Sequence, residues 1–211
     1  MILRKYTHPT VVLDKEGATL LIDPGTFTAA AKTLIREASA VLVTHEHPDH
    51  ADIDLISATL TSQPDLTVWA PASVAALLPD HPDRIRVIAP GDTGEVAGFR
   101  VAVVGGTHAV IHPDMPESTN VGYIIDDDVY HPGDSYFVPD QPVQTLLVPM
   151  SGPFAHLEKI IDFIRAVRPT RAVQIHDVLL TETGKQFLAQ FVDPFTGIDL
   201  TILDDGGALR L

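Results

Sequence analysis

Ala40-Val41-Leu42-Val43-Thr44-His45-Glu46-His47-Pro48-Asp49-His50 is the most informative segment of the chain. Its first five residues are apolar or β-branched, which predicts a buried strand. Three histidines and an aspartate follow at once, so ligand-type side chains stand where a strand ends and a loop begins. Imidazole and carboxylate groups suit Zn, Mn or Fe, and four of them within six residues favour more than one ion.

The spacing inside this segment predicts how the side chains divide between two ions. Residues two apart in an extended segment point the same way, so His45 and His47 can face one ion. Pro48 suits the first turn of a helix, and on that turn Asp49 and His50 would face a second ion. The spacing therefore fits a two-metal site better than a single tetrahedral zinc site.

The composition limits the classes of protein and site. The chain has 211 residues, no cysteine and a formal net charge of -14. This length is most simply one domain over residues 1–211, and the missing cysteine excludes thiolate sites, Fe–S clusters and cysteine nucleophiles. The acidic balance disfavours nucleic acid as a partner. Without a long apolar stretch or an apolar leader, we expect a cytoplasmic protein that does not insert into membranes and acts on a small molecule. A homo-oligomer remains open.

Both halves of the chain show strands first and then strands alternating with helices. This order favours the α+β class and a four-layer αββα sandwich, with two mixed β-sheets flanked by helices. The predicted strands are residues 2–6, 10–13, 19–22, 40–44, 67–70, 86–88, 99–104, 121–125, 129–131, 144–148, 172–175, 200–203 and 208–211. The predicted helices are residues 28–38, 53–60, 72–78, 154–167 and 182–191.

Three more ligand-type residues each follow a predicted strand. His108 comes after Gly105-Gly106-Thr107, Asp134 lies in His131-Pro132-Gly133-Asp134-Ser135, and His176 lies in Gln174-Ile175-His176-Asp177. Strand ends meet at the edges of a sheet, so these positions indicate one site assembled from distant segments.

Together these motifs resemble those of the metallo-β-lactamase-fold hydrolases, whose H-x-H-x-D-H signature is present from His45 to His50. The later motifs follow in the same order as far as His176. The resemblance implies a first metal held by His45, His47 and His108. It implies a second metal held by Asp49, His50 and His176, with Asp134 bridging both and Asp23 orienting a ligand from behind.

Within that superfamily the chain is most similar to the L-ascorbate-6-phosphate lactonase branch. The similarity lies in the segments 120–123, 131–135 and 149–154. The chain is short and leaves no obvious room for large insertions, so the substrate of that branch is not carried over.

The resemblance implies a dinuclear metal-dependent hydrolase that uses a metal-bridging hydroxide on a small ester, lactone or phosphodiester. Two divalent ions are expected, zinc first and manganese or iron as alternatives. Asp49 could also accept a proton from the attacking water, and His131 is a candidate proton donor or a group behind the ligands.

Three other functions stay open. They are a phosphodiesterase or ribonuclease of the same fold, an iron-dependent redox enzyme, and a protein that keeps its metals only for structure. The redox alternative is less favoured, because diiron oxidoreductases of this superfamily tend to carry Glu where this chain has His47.

The remaining histidines and one acidic run are harder to assign. His8 could line the pocket or lie on a surface turn, and His112 belongs to a Pro-containing stretch, residues 108–120, that could cover the metals. His81 and His156 are expected at the surface. Asp126-Asp127-Asp128 is interpreted as a solvated hairpin turn rather than a metal cluster.

Overall fold

The computed structural model describes residues 1–211 as two seven-stranded β-sheets with five α-helices. The first sheet contains β1 (Ile2–Lys5), β2 (Val11–Lys15), β3 (Ala18–Ile22), β4 (Ala40–Leu42), β5 (Val68–Ala70), β6 (Ile85–Val87) and β14 (Gly207–Arg210). The second contains β7 (Thr93–Val96), β8 (Phe99–Thr107), β9 (Thr119–Ile125), β10 (Val129–His131), β11 (Thr145–Pro149), β12 (Arg171–Ile175) and β13 (Leu200–Thr201). The helices are α1 (Ala31–Glu37), α2 (Ile53–Ser62), α3 (Ala72–Ala75), α4 (Leu157–Val167) and α5 (Glu182–Thr196), with a 3-10 turn at Pro82–Arg84.

The two sheets are built alike, half antiparallel and half parallel. The order in the first is β14-β1-β2-β3-β4-β5-β6, antiparallel as far as β3 and parallel from there on. The order in the second is β13-β12-β11-β10-β9-β8-β7, antiparallel from β7 to β10 and parallel beyond. The predicted pair of mixed sheets is confirmed.

Three apolar layers separate four layers of secondary structure, as an αββα sandwich requires. The central layer has 20 buried residues from both sheets, among them Leu13, Trp69 and Tyr123. A second layer of 15 packs α1, α2 and α3 on the first sheet, and a third of 13 packs α4 and α5 on the second. In α4 the spacing of Ile160, Phe163 and Ile164 buries one face of the helix against β11.

Local sequence explains several element ends. Glu16 and Gly17 have φ of 53° and 85°, the left-handed pair that closes the tight β2–β3 hairpin. Arg168 ends α4 in the same conformation just before Pro169, which cannot continue a helix. Thr181 caps α5 by accepting a hydrogen bond from the N–H of Gly184.

The structure departs from the sequence predictions at four places. β7 was not predicted, because Thr93–Val96 is an edge strand with no run of apolar residues. α5 continues to Thr196 past Pro194, and α3 is shorter than expected. Pro48 does not begin a helix: residues 47–51 form a turn closed by the carbonyl of His47, and α2 starts later, where Asp52 caps it by accepting from the N–H of Leu55.

No helix combines the length and the apolar character that crossing a membrane would need.

The parallel strands determine where the ligand-type residues lie. Asp23 follows β3, the histidine-rich turn follows β4, Asp134 follows β10 and His176 follows β12. Each follows the carboxyl end of a strand, so these segments gather at one edge of the sandwich.

Candidate metal centre

The seven predicted ligands lie in one cluster that is mostly buried. His45, His47, His108 and Asp134 present ligand atoms that all lie within 4.8 Å of one another. The same holds for His50, Asp134 and His176, so Asp134 belongs to both sets. We call the set with His45, His47 and His108 the first group. The second group consists of Asp49, His50 and His176, since the Asp49 Oδ2 is 3.5 Å from the His176 Nε2 and 4.0 Å from the His50 Nε2.

Neutral imidazoles dominate the first group. The His45 Nε2 lies 2.9 Å from the His47 Nδ1, and the His108 Nε2 lies 3.3 Å from the Asp134 Oδ2. Burial lowers the pKa of both His45 and His47. The His108 Nδ1 is 2.6 Å from the carbonyl oxygen of Ala109, which can only accept, so this nitrogen donates the hydrogen bond and the Nε2 faces Asp134.

Carboxylates surround the second group. The Nε2 atoms of His50 and His176 each lie 3.1 Å from the Asp134 Oδ1. Their Nδ1 atoms are fixed from outside, that of His50 by the Asp23 Oδ2 at 2.7 Å and that of His176 by the Ser151 carbonyl at 2.6 Å. Outer partners of this kind set the tautomer of a metal-binding histidine and orient its ring.

Three ligand atoms of this cluster have no hydrogen-bond partner, and this tests whether metal fits. They are His50 Nε2, His176 Nε2 and Asp134 Oδ1, all buried. The two Nε2 atoms each lie 3.1 Å from the Asp134 Oδ1, but the angles do not allow a hydrogen bond. A buried polar atom without a partner costs free energy, and a cation among these three would be bound by all of them. The residues present therefore fit a metal ion.

The charges of the cluster point the same way. Burial alone would lower the pKa of His50, but the carboxylates of Asp134 and Asp23 outweigh it and raise the pKa to about 10. Burial likewise opposes ionisation of Asp134, yet His50 holds the pKa of this carboxyl well below its usual range. Negative potential at the His50 Nε2 thus attracts a positive charge, which a divalent ion would supply in place of a proton.

Asp23 lies behind the cluster, as the resemblance implied. It is fully buried, and besides His50 it accepts hydrogen bonds from the Thr44 N–H at 2.8 Å and the Thr44 hydroxyl at 2.7 Å. Its backbone has φ of 51°, a left-handed conformation that few non-glycine residues adopt. The following Gly25 is required because a Cβ there would lie 1.7 Å from the Asp49 carbonyl oxygen.

His8 belongs to the site, and the alternative of a surface turn is wrong. Its side chain is 2 % exposed, and its ring centroid lies 3.6 Å from that of His176. The N–H of Val178 donates to the His8 Nδ1 at 3.4 Å, so the Nε2 carries the proton and donates to the Asp49 Oδ2 at 3.0 Å. Burial lowers the pKa of His8, which keeps it neutral. The sequence places His8 between two predicted strands but does not indicate these contacts.

His131 does not have the surroundings of a proton donor. Its Nδ1 accepts from the Gly133 N–H at 3.1 Å, and its Nε2 donates to the Pro9 carbonyl at 2.9 Å. Both ring nitrogens are therefore engaged by backbone, and the side chain is fully buried. Of its two expected roles, only that of a group behind the ligands matches these contacts.

Asn120 fixes the loop that carries Asp134. Its amide donates to the Pro132 carbonyl at 2.8 Å and accepts from the Asp134 N–H at 2.9 Å. Gly133 lies between them with φ of 62°, and a Cβ there would be 2.3 Å from the Asn120 Oδ1. The sequence pattern around Asn120 does not indicate this role.

A buried ion pair that no sequence pattern indicates holds the backbone beside His176. The Lys5 Nζ lies 2.6 Å from the Asp177 Oδ2, and the two side chains are 2 % and 3 % exposed. Lys185 also contacts Asp177, at 2.9 Å. The other Asp177 oxygen accepts from the N–H of His8. Strand β1 is thereby tied to the loop after β12.

A pocket opens beside the first group, between His47, His108 and the loop of residues 109–118. His112 lines this pocket but lies outside the ligand cluster, in contact with Asp114.

Two other histidines lie away from the ligand cluster. His81 contacts Ser57 and Thr61, and His156 lies exposed ahead of α4. Asp126 pairs with Lys15 at 2.6 Å in the β9–β10 turn, which agrees with the turn interpretation of the acidic run.

Comparison with known proteins gives consistent matches. Residues 2–176 match the family of the Beta-lactamase superfamily domain. Protein Rv0786c of Mycobacterium tuberculosis is 33% identical over 214 residues, covering 99% of both chains. A UPF0173 metal-dependent hydrolase of Roseiflexus sp. is 27% identical over 188 residues, covering 78% of this chain and 74% of its own.

Among solved structures, Igni18, a metallo hydrolase from Ignicoccus hospitalis, superimposes with a TM-score of 0.74 at 16% identity. The alignment covers 100% of this chain and 98% of that one. At this identity the likeness shows the fold alone, and it agrees with the two-sheet sandwich. The similarity to the L-ascorbate-6-phosphate lactonase branch stays a prediction.

Proposed function

Because the chain belongs to the β-lactamase superfamily and is a metal-dependent hydrolase of it, we propose that it uses two adjacent divalent ions to hydrolyse a small ester, lactone or phosphodiester. The observation that carries this proposal is the set of three partnerless ligand atoms, His50 Nε2, His176 Nε2 and Asp134 Oδ1. Two of these atoms belong to the second group, and the third belongs to Asp134, which both groups share.

The first group and Asp134 would hold one ion, and the second group and Asp134 the other. Nitrogen and carboxylate ligands suit zinc, with manganese or iron as alternatives. When bound, the ions supply an activated water and a Lewis acid for the carbonyl or phosphoryl oxygen of the substrate.

The side chains of the chain itself supply orientation. The close approach of His176 and the hydrogen bond from His8 hold the pKa of Asp49 far below its usual range, although burial alone would raise it. A carboxylate with so low a pKa is a good ligand but a weak base, which supports ion binding as its first role. Any proton that Asp49 accepts would be released again quickly.

The supports behind the ligands keep this arrangement rigid. Asp23 fixes His50, while His131 and Asn120 hold the loop of Asp134 through the backbone N–H groups of Gly133 and Asp134. The His176 ring is fixed by Ser151 and packs against Phe154, whose ring centroid is 5.5 Å away. The ligands are thus positioned before an ion or a substrate binds, which reduces the reorganisation needed for reaction.

Metal analysis and a substrate panel test the proposal. Protein purified without chelator should contain up to two ions per chain and, with zinc or manganese, hydrolyse members of a panel of p-nitrophenyl esters, lactones and bis(p-nitrophenyl) phosphate. His50→Ala should abolish turnover with the fold retained, and His156→Ala is the matched control outside the site. Protein without bound ions and without hydrolysis after metal addition would contradict the proposal.

A further inference from the structure

Lys and Arg are missing from the chain segments that carry the seven ligands and Asp23. No Lys or Arg occurs between Arg36 and Arg84, or between Arg100 and Lys159. These two segments contain six of the seven ligands. The segments 16–31 and 172–184, which contain Asp23 and His176, also have none.

The two lysines that do approach the centre are already neutralised. Lys5 is buried against Asp177, and Lys185 contacts both Asp177 and Glu182. Neither ammonium is free to bind a substrate. Exposed charges on the segments around the centre are instead acidic, including Asp114, Glu117 and Asp140.

Large apolar side chains are exposed on two sides of the cluster. Val110 and Met115 line the pocket beside His47 and His108 and are 58% and 52% exposed. On the other side, Phe27 lies next to His8, with ring centroids 5.4 Å apart, and Val178 and Leu179 follow His176. Phe27, Val178 and Leu179 are 52%, 42% and 69% exposed. We call these three residues, together with Val110 and Met115, the apolar rim.

These two observations limit what the site can bind. Anionic groups away from the reacting atoms are normally held by Arg or Lys, and here they would face carboxylates. Apolar side chains gathered around a cleft instead gain free energy when a ligand removes them from water. The ions would supply the only positive charge, and it would be used at the reacting group.

We propose that the substrate is an uncharged ester or lactone carrying an alkyl or aryl group that covers the apolar rim. This inference rests on the proposed hydrolase function and narrows it, because phosphorylated and carboxylated substrates are excluded. In the reaction the bond from the acyl carbon to the alcohol oxygen breaks and a bond from that carbon to the oxygen of water forms. One proton of the water goes to the alcohol, and the other leaves the carboxylic acid.

A homologous series of esters tests the inference. With the metal-loaded protein, kcat/KM for p-nitrophenyl acetate, butyrate, hexanoate and octanoate should rise about two- to fourfold per methylene, the gain for burying a CH₂ partly or fully. The p-nitrophenyl monoester of adipic acid matches the hexanoate in length but ends in a carboxylate. Its kcat/KM should be at least tenfold lower than that of the hexanoate.

Three variants locate the effect. Met115→Ser and Leu179→Ser should each flatten the dependence of kcat/KM on acyl chain length, since each removes apolar surface that the longer acyl groups would cover. Met115→Lys should raise kcat/KM for the adipate monoester relative to the hexanoate. Phe195→Ser is the matched control, because Phe195 is 55% exposed near the end of α5, outside the rim.

The outcomes separate the two proposals. Metal-dependent turnover that is independent of chain length, or that prefers the adipate monoester or bis(p-nitrophenyl) phosphate, would overturn the rim inference and leave the hydrolase function standing. Absence of metal-dependent turnover of any substrate would overturn both. A rising series that the rim variants flatten and Phe195→Ser does not would support both.

Discussion

The two ligand groups share Asp134 but are supported differently. In the first group, burial keeps His45 and His47 neutral, and His108 is oriented by a backbone carbonyl. In the second, carboxylates raise the pKa of His50 and of His176, although burial alone would lower both. The surroundings of the second group are therefore the more negative of the two, and its geometry depends more on side chains that substitution can remove.

Asp134→Asn should have the largest effect, because it removes the carboxylate common to both groups. We expect the ion content to fall below that of the unaltered protein at both groups and hydrolysis to fall by more than about 100-fold, the upper end of losses from outer partners alone. Elemental analysis and kcat/KM measure this. Asp140→Asn, an exposed position on the same loop, should change neither; full ion content in Asp134→Asn would refute the shared role.

Asp177→Asn should destabilise the segment next to the second group and leave the first group unchanged. Lys5 would keep its buried position without a carboxylate, which costs about 3 kcal/mol of unfolding free energy. Urea denaturation measures the loss. The exposed pair of Arg100 and Asp127 provides the control, since Asp127→Asn should cost under about 1 kcal/mol. Equal losses in the two variants would show that the buried pair does not stabilise the fold.

His8→Ala should affect the second group selectively. Without the hydrogen bond from the His8 Nε2, Asp49 is less well oriented, and the affinity for one ion should fall about 10- to 100-fold. Competition with a coloured chelator can resolve two affinities, of which only one should change. His8→Gln, which keeps an N–H donor, should recover part of the loss. The difference between the groups would disappear if both affinities fell together.

The stability of chelator-treated protein should decline at alkaline pH because of the second group. The pKa of His50 is about 10 in the folded protein and near the ordinary 6.5 when unfolded. Its contribution is therefore complete below pH 6.5 and is lost as the pH rises towards 10. Melting temperatures between pH 7 and 9.5 should fall, and less steeply in His50→Gln. A melting temperature that rises over this range would contradict the raised pKa, and His81→Gln serves as control.

Patterns in the sequence were sufficient for the sandwich and for which ligand residues meet. Apolar runs such as Ala40–Leu42 predict strands, and ligand-type residues directly after several strands predict a common edge. Thr93–Val96 could not be found in this way, because its pairing with β8 rather than its own composition makes it a strand. The helix start predicted at Pro48 was wrong, because the cap of α2 at Asp52 depends on tertiary contacts. One of them is the hydrogen bond from the Asp52 N–H to the Pro24 carbonyl.

The contacts behind the ligands could not be predicted because they join residues far apart in the chain. His131 contacts the carbonyl of Pro9, and Lys5 contacts Asp177 across 172 positions. No local pattern indicates a buried lysine in a short strand or a histidine whose two nitrogens bind only backbone. Such partners follow from the way the segments pack, so they become visible only in three dimensions.

Three residues of the centre, His8, Asp23 and His176, have left-handed backbone with φ of 64°, 51° and 52°. At each of them the fold accepts a conformation that glycine or asparagine would adopt more easily. Selection for thermal stability alone would therefore favour replacing these residues, and with them the groups that hold the ions. The metal-binding edge is thus where activity and thermostability compete, and engineering for heat resistance should leave these three positions unchanged.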